Sequence, residues 1–254
     1  MRALVTPYLG RRDLMTVAGV RIPSYLVMLY LGCTAGLLAG MVAAADAGLG
    51  QTRFAVATLL LLIPALIGSR LFYVLQYLKR FRADPRRLWR RGEGGAALYG
   101  GLVLSVGLSV PMLTLLDLPF WPFWDAAIIT MIVGLIITRI GCLMHGCCAG
   151  RETQRPWGIP LPNHRGEWKR RWPTQLLEAG IGVLLLVAAY TTRTMLPFSG
   201  ARFLGVIGAY AIARVLLEQT REPDPQVRAA GPNTVLWMAL FIASTLVVVL
   251  RTLQ

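Results

Sequence analysis

The sequence predicts an all-α integral membrane protein, a bundle of about seven transmembrane helices behind an interfacial N-terminal arm. Three observations carry this expectation. The 254-residue chain is 56% hydrophobic with a mean hydropathy of +0.58, far above a soluble domain. Apolar runs recur at roughly 20 residues, the length that crosses bilayer hydrocarbon. Nothing is left over to form a separate soluble domain, because the longest stretch between apolar runs is about 33 residues.

Residues 1–23 read as the interfacial arm. They are polar and amphipathic, carry Arg2, Arg11 and Arg12, and precede a full-length apolar run that lacks a signal-peptide cleavage site. The first span covers 24–44 and the second 54–77. The third, 95–116, holds Gly100, Gly101, Gly107 and Pro111, which weaken a helix but are tolerated inside a bundle. The fourth, 124–140, is continuously apolar. Pro173, followed by Thr174 and Gln175, is a helix-entry signal for the fifth span, 174–190. The sixth, 203–217, is short and contains Arg214. The seventh is 234–250.

The net charge is +14. Its basic residues flank membrane helices in short loops, so anionic lipid headgroups are a nearer partner than nucleic acid. The densest run is Lys79, Arg80, Arg82, Arg86, Arg87, Arg90 and Arg91. It serves either as a solvated topology signal or as a recruiter of acidic lipid. Nineteen of the 26 basic residues fall on the side of the N-terminus and four on the other, a bias that places the N-terminus in the cytoplasm.

Polar chemistry is concentrated where the fourth span ends, in Arg139-Ile-Gly-Cys-Leu-Met-His-Gly-Cys-Cys-Ala-Gly-Arg151. A guanidinium at the mouth of a bilayer helix is costly without an anionic partner, and a phosphate-bearing lipid is one such partner. Three spans each supply an arginine at membrane depth: Arg70, Arg139 and Arg214. The embedded acids are few, Glu178 and Glu218, so three cations should leave positive charge for a ligand. Arginine is the side chain best suited to fork onto phosphate oxygens. Glu218 lies four residues after Arg214 on the same helix face, so mutual neutralisation of that pair is the competing reading. Gln175 and Glu178, three residues apart, share one face of the fifth span and either cap it or belong to a site.

Cys142, His145, Cys147 and Cys148 gather in the same stretch. Metal binding is disfavoured by the adjacency of Cys147 and Cys148, since tetrahedral zinc sites space paired ligands by two to four residues. A disulfide, a thiol nucleophile activated by His145, and plain close packing beside Gly141, Gly146 and Gly150 all stay open. Cys33, alone on an apolar helix, reads as core.

Five pieces in fixed order resemble the prolipoprotein diacylglyceryl transferase family: Gly68-Ser-Arg-Leu-Phe-Tyr73, Gly94-Gly-Ala-Ala-Leu-Tyr-Gly-Gly101, the stretch from Arg139 to Arg151, Trp172-Pro-Thr-Gln-Leu-Leu-Glu178, and Tyr210-Ala-Ile-Ala-Arg214 continuing through Glu218 to Arg221-Glu-Pro-Asp224. The resemblance implies a multi-pass enzyme of the bacterial inner membrane, with residues 24–254 as its catalytic domain. It would move the diacylglyceryl group of phosphatidylglycerol to the sulfur of a lipobox cysteine in a preprolipoprotein, releasing glycerol phosphate. Arg139 and Arg214 would handle the phosphate. Gly150 would be the functional loop glycine and Tyr25 the span-one tyrosine of the site. Arg70, Cys142, Arg151 and Gln175 would contribute to substrate binding, as would Glu178, Tyr210, Glu218 and Arg221. No metal or cofactor is implied.

Phosphate-ester displacement builds negative charge that fixed arginines stabilise at low dielectric, and a nearby cation lowers the pKa of the acceptor thiol. The chain departs from the family pattern at two places. Tyr99 stands where the family carries a proposed histidine base, and a phenol of pKa near 10 is a poorer base at neutral pH. Cys142 replaces an asparagine and Cys147 an acidic residue. His145 is the alternative base. The resemblance also puts the N-terminus and the signature loop outside the cytoplasm, opposite to the charge bias. We adopt the family orientation, because basic loops also serve an anionic lipid substrate. Two other classes remain in play: a lipid or small-solute transporter, and a non-catalytic lipid-binding protein derived from the same family.

Overall fold

The computed structural model describes residues 10, 13–17, 19–84, 86, 98–163, 166–222 and 231–252. Most of the interfacial arm's first twelve residues, Arg2, Arg11 and Arg12 among them, lie outside that set, as do Arg87, Arg90, Arg91, Gly94 and Asp224. Seven long helices correspond one to one with the seven expected spans. They are α1 (Ser24–Asp46), α2 (Gln51–Gln76), α4 (Leu98–Leu115), α5 (Phe120–His145), α6 (Thr174–Thr191), α7 (Ala201–Glu218) and α8 (Gly231–Thr252). A short α3 (Leu78–Ala83) follows α2. Four of them, α1, α2, α5 and α6, are long and apolar enough to cross a membrane, while α4 and α8 are apolar over the shorter stretches Gly100–Leu115 and Val235–Arg251. The protein is a multi-pass membrane protein.

Two short antiparallel hairpins accompany the helices. β1 (Asp13–Val17) pairs with β2 (Val20–Pro23), and β3 (Ile159–Pro162) with β4 (Trp168–Arg171). The first gives the end of the arm a defined shape that sequence reading left as merely polar. Its turn contains Gly19, whose φ of 80° is open to glycine and strained for other residues.

The chain divides into two compact units, Ala44–Phe123 and Met1–Ala43 with Trp124–Gln254. In the first, α2 and α4 cross where Gly68 and Gly100 oppose each other, and a Cβ on either would collide with the other's carbonyl. Small residues that let backbones approach are the usual membrane helix contact. The glycines that weaken span three as a helix are what let it pack. Arg70 lies in this unit, its guanidinium 5.7 Å from the Tyr73 ring and 5.8 Å from the Phe81 ring. The Tyr99 backbone is in the first turn of α4, and its side chain falls outside the described set.

In the second unit, Trp124 of α5 packs on Phe203 of α7, ring centroids 5.0 Å apart. Asp125 accepts the N–H groups of Gly200 (2.6 Å) and Phe203 (2.8 Å), anchoring α7's first turn on α5. The buried stripe of α6 runs through Thr174, Gln175, Glu178, Ala179 and Gly182, so its inward face opens with polar residues. On α7 the buried residues Leu204, Ile207, Ala211 and Arg214 follow helical spacing, and the arginine extends an otherwise apolar stripe. Cys33, expected in the core, is exposed on α1. An apolar residue on a spanning helix meets hydrocarbon as readily as protein, so hydrophobicity alone did not assign its side.

Candidate active site

α5 ends with Arg139 one and a half turns before His145, α6 begins with a polar inward face, and α7 buries Arg214. These three ends meet on one carboxylate. Glu178, 1% exposed, receives Arg139 Nη2 at 2.9 Å on Oε1 and Arg214 Nη1 at 3.5 Å on Oε2. The Tyr210 hydroxyl donates to Oε1 at 2.6 Å. Arg214 Nη2 also reaches Glu218 Oε2 at 3.1 Å. α8 closes this side with Trp237, whose ring lies 5.6 Å from the Arg214 guanidinium and 5.4 Å edge-on to Tyr210.

The expectation that embedded arginines outnumber their acids does not hold at this cluster. Two guanidiniums and two carboxylates sum to zero, because the single Glu178 offers one oxygen to each arginine. The i,i+4 pairing of Arg214 with Glu218 is present beside it. Charge balance does not exhaust the donors, however. Arg139 Nε and Arg214 Nη1 are buried without a hydrogen-bond partner among the described residues. A buried unsatisfied donor costs about 1–3 kcal/mol; Arg139 Nε bears that cost outright, while Arg214 Nη1 has a 3.5 Å ion pair with Glu178 Oε2. Gln175 and Glu178 are both buried, and Pro173, at the N-cap of α6, makes no side-chain capping bond. Gln175 Nε2 instead donates to the Cys147 carbonyl at 2.7 Å, tying α6 to the loop after α5.

That loop is held by a second set of contacts. Gly150 pairs with Arg221 in an isolated antiparallel bridge. The Arg151 N–H donates to Thr220 O (2.8 Å) and Arg151 Nε to Arg221 O (2.9 Å). A Cβ at Gly150 would collide with the Trp172 carbonyl and the Thr174 hydroxyl, which explains the glycine by close approach alone. Beneath it, Arg171 is fully buried, with Nη1 3.0 Å from Glu222 and 3.4 Å from the Gly150 carbonyl. Outside, Lys169 donates to Glu152 at 2.7 Å, and this bond holds the Glu152 carboxyl below its usual range.

Tyr25 of α1 faces His145, ring centroids 6.3 Å apart. Cys142, Cys147 and Cys148 form a cluster with all three sulfurs within 4.8 Å of one another. Hydrogen bonds from the other two thiols, then the charges of Arg221 and Arg139, pull the Cys148 thiol well below the ordinary thiol range.

The structure thus brings together Arg139, Glu178, Tyr210, Arg214 and Glu218. It ties Gln175, Gly150, Arg151 and Arg221 to the adjoining loop, and sets Tyr25, His145 and Cys142 beside it. Arg70 and Tyr99 belong to the other unit. Sequence reasoning missed Trp237 and Arg171. A tryptophan inside an apolar helix signals nothing by itself. Arg171, just ahead of the Trp172–Glu178 motif, looked like one more loop cation.

A family model described as prolipoprotein diacylglyceryl transferase matches residues 12–252. The phosphatidylglycerol–prolipoprotein diacylglyceryl transferase of Geobacter sulfurreducens is 34% identical over 214 residues, covering 82% of this chain and 81% of its own. The protein of that name from Solidesulfovibrio magneticus is 32% identical over 211 residues, covering 80% and 78%. Matches of this length take in all the site's helices, the buried arginines and the Gly150 loop together, and on them the chain belongs to the prolipoprotein diacylglyceryl transferase family.

Proposed function

We propose that this protein transfers the diacylglyceryl group of phosphatidylglycerol to the sulfur of a lipobox cysteine in a preprolipoprotein, at the bacterial inner membrane, with its N-terminus and signature loop outside the cytoplasm. One observation carries this reading. Two guanidiniums from different helices, Arg214 buried and Arg139 partly exposed, share one carboxylate, and each keeps a buried nitrogen without a hydrogen-bond partner among the described residues.

A lipid phosphate entering beside Glu178 takes those donors. Its oxygens accept from Arg139 Nε and Arg214 Nη1, while Glu178, Glu218 and the Tyr210 hydroxyl hold both guanidiniums in place. The acceptor sulfur attacks the glyceryl carbon. An S–C bond forms, the C–O bond to phosphate breaks, and glycerol phosphate leaves with the electron pair. Negative charge grows on the phosphate as this happens, and prearranged arginines stabilise it without reorganising. Each such donor is worth about 2.7–4 kcal/mol at a buried site. The thiol proton goes to the imidazole of His145, whose ring adjoins Tyr25.

The test incubates purified protein with phosphatidylglycerol micelles and a lipobox peptide, and follows the peptide by mass spectrometry. A thioether-linked diacylglyceryl adduct is expected. Arg139→Lys and Arg214→Lys keep the charge but lose the fork, and should each lower the rate by at least about 100-fold while the protein stays folded. Lipid translocation without adduct would establish a transporter instead.

A further inference from the structure

Beyond the expected contact of Cys142 with substrate, the thiol cluster after α5 has a geometry made by the backbone. The last turn of α5 ends in a Schellman motif. The Cys147 N–H donates to Cys142 O at 3.1 Å and the Gly146 N–H to Leu143 O at 3.3 Å, with Gly146 at φ 78°. This motif folds the second residue past the helix back over the third from its end, which sets Cys147 on Cys142. The Cys147 thiol also donates to the Cys142 carbonyl at 3.7 Å. Adjacent residues in extended chain point apart, but Cys148 has φ 59°, the left-handed region that a residue with a Cβ avoids. That strained turn brings the third sulfur to the side of the other two. Strain of this kind persists where surrounding structure fixes it. Here Gln175 holds the Cys147 carbonyl at 2.7 Å and Glu222 N–H the Ala149 carbonyl at 3.2 Å.

We infer that Cys142, Cys147 and Cys148 form a three-thiolate site for a thiophilic metal ion of the zinc class. The separation of Cys142 from Cys147 falls within ordinary zinc-ligand spacing, and the objection raised by the adjacent pair is removed by the turn at Cys148. A tetrahedral ion with bonds of about 2.3 Å holds its sulfurs about 3.8 Å apart. From an upper limit of 4.8 Å, three side chains close that gap by under about 1 Å in all. Three thiolates and Zn²⁺ sum to one negative charge, and the three thiol protons go to solvent. Two cations lie near that charge, Arg139 already shared with Glu178. Arg139 is three residues before Cys142 on the same helix face, and Arg221 is bridged to Gly150. Cys142 is buried and Cys148 exposed, which gives a closed floor and an entry side. Sulfur ligands select Zn²⁺ or Cu⁺ over hard cations.

The experiment uses the full chain in detergent, reduced and stripped with chelator, then titrated with Zn²⁺ and, as a spectroscopic probe, Cd²⁺. One ion per chain should bind, Cd²⁺ giving a thiolate charge-transfer band. Metal should protect Cys142, Cys147 and Cys148 from alkylation as mapped by mass spectrometry. Cys33→Ser should bind unchanged, and Cys142→Ser, Cys147→Ser and Cys148→Ser should each weaken binding at least about tenfold. The alkylation map on unsubstituted protein stands even where a variant fails to fold. Equal binding by the triple serine variant overturns the proposal, and so does a disulfide among these cysteines in protein isolated without reductant.

Discussion

Glu178→Gln keeps a side chain's shape and removes the one charge that two arginines share. The carboxylate is 1% exposed and meets Arg139 at 2.9 Å and Arg214 at 3.5 Å. Removing one partner of a buried ion pair costs about 3–5 kcal/mol, mostly because the other charge is stranded. The amide oxygen still accepts from Tyr210, so the lower end applies, about 3 kcal/mol. At roughly 2–4 °C per kcal/mol for a chain of this size, the midpoint should fall by about 6–12 °C. Arg139→Gln strands less, because Glu178 keeps Arg214. The double variant Arg139→Gln/Glu178→Gln restores neutrality, leaving Arg214 with Glu218. Its loss should be smaller than the two single losses together by at least about 1 kcal/mol. Thermal unfolding of detergent-solubilised protein, in matched lipid, measures all four forms. Additive losses, or a Glu178→Gln midpoint within about 1 °C of the parent, would refute the shared-carboxylate account.

Gly150→Ala should push the loop off the Trp172 carbonyl, speed proteolysis within residues 151–172, and lower transfer by about 100-fold, the usual cost of a 1 Å misplacement. Trp237→Ala should destabilise by about 3–5 kcal/mol through its cavity. Trp237→Phe keeps a π face over Arg214 and should chiefly raise the KM for phosphatidylglycerol. If transfer is limited by the base, Tyr99→His should increase kcat, most clearly near neutral pH, where a phenol is a weak acceptor.

The seven helices were legible because bilayer crossing imposes length and apolarity on consecutive residues. Pairing within one helix was legible for the same reason, as with Arg214 and Glu218. What spacing does not encode is the partner across helices. Arg139 and Glu178 are 39 positions apart, and only packing of α5 against α6 selects that contact over any other. Helix ends were read short: α5 runs on to His145, because Leu143 and Met144 sustain it until Gly146 turns the chain. That shift changed the meaning of the cysteines. Read as a loop, they were close in sequence with no common direction. Read as a helix end, they converge.

The balanced charges of the Arg139, Glu178, Arg214 and Glu218 quartet bear on how the protein is made. A lone arginine at the centre of an inserting helix costs about 2.5–3.5 kcal/mol. α7 enters with Arg214 and its own counterion, whereas Arg139 of α5 and Glu178 of α6 meet a partner only across helices. Those two segments therefore attract one another once both have left the translocon, and the atoms that drive their docking include those proposed to meet the lipid phosphate. On that proposal biogenesis and competence are coupled, because a partly assembled chain lacks the contact of Arg139 and Arg214 on Glu178.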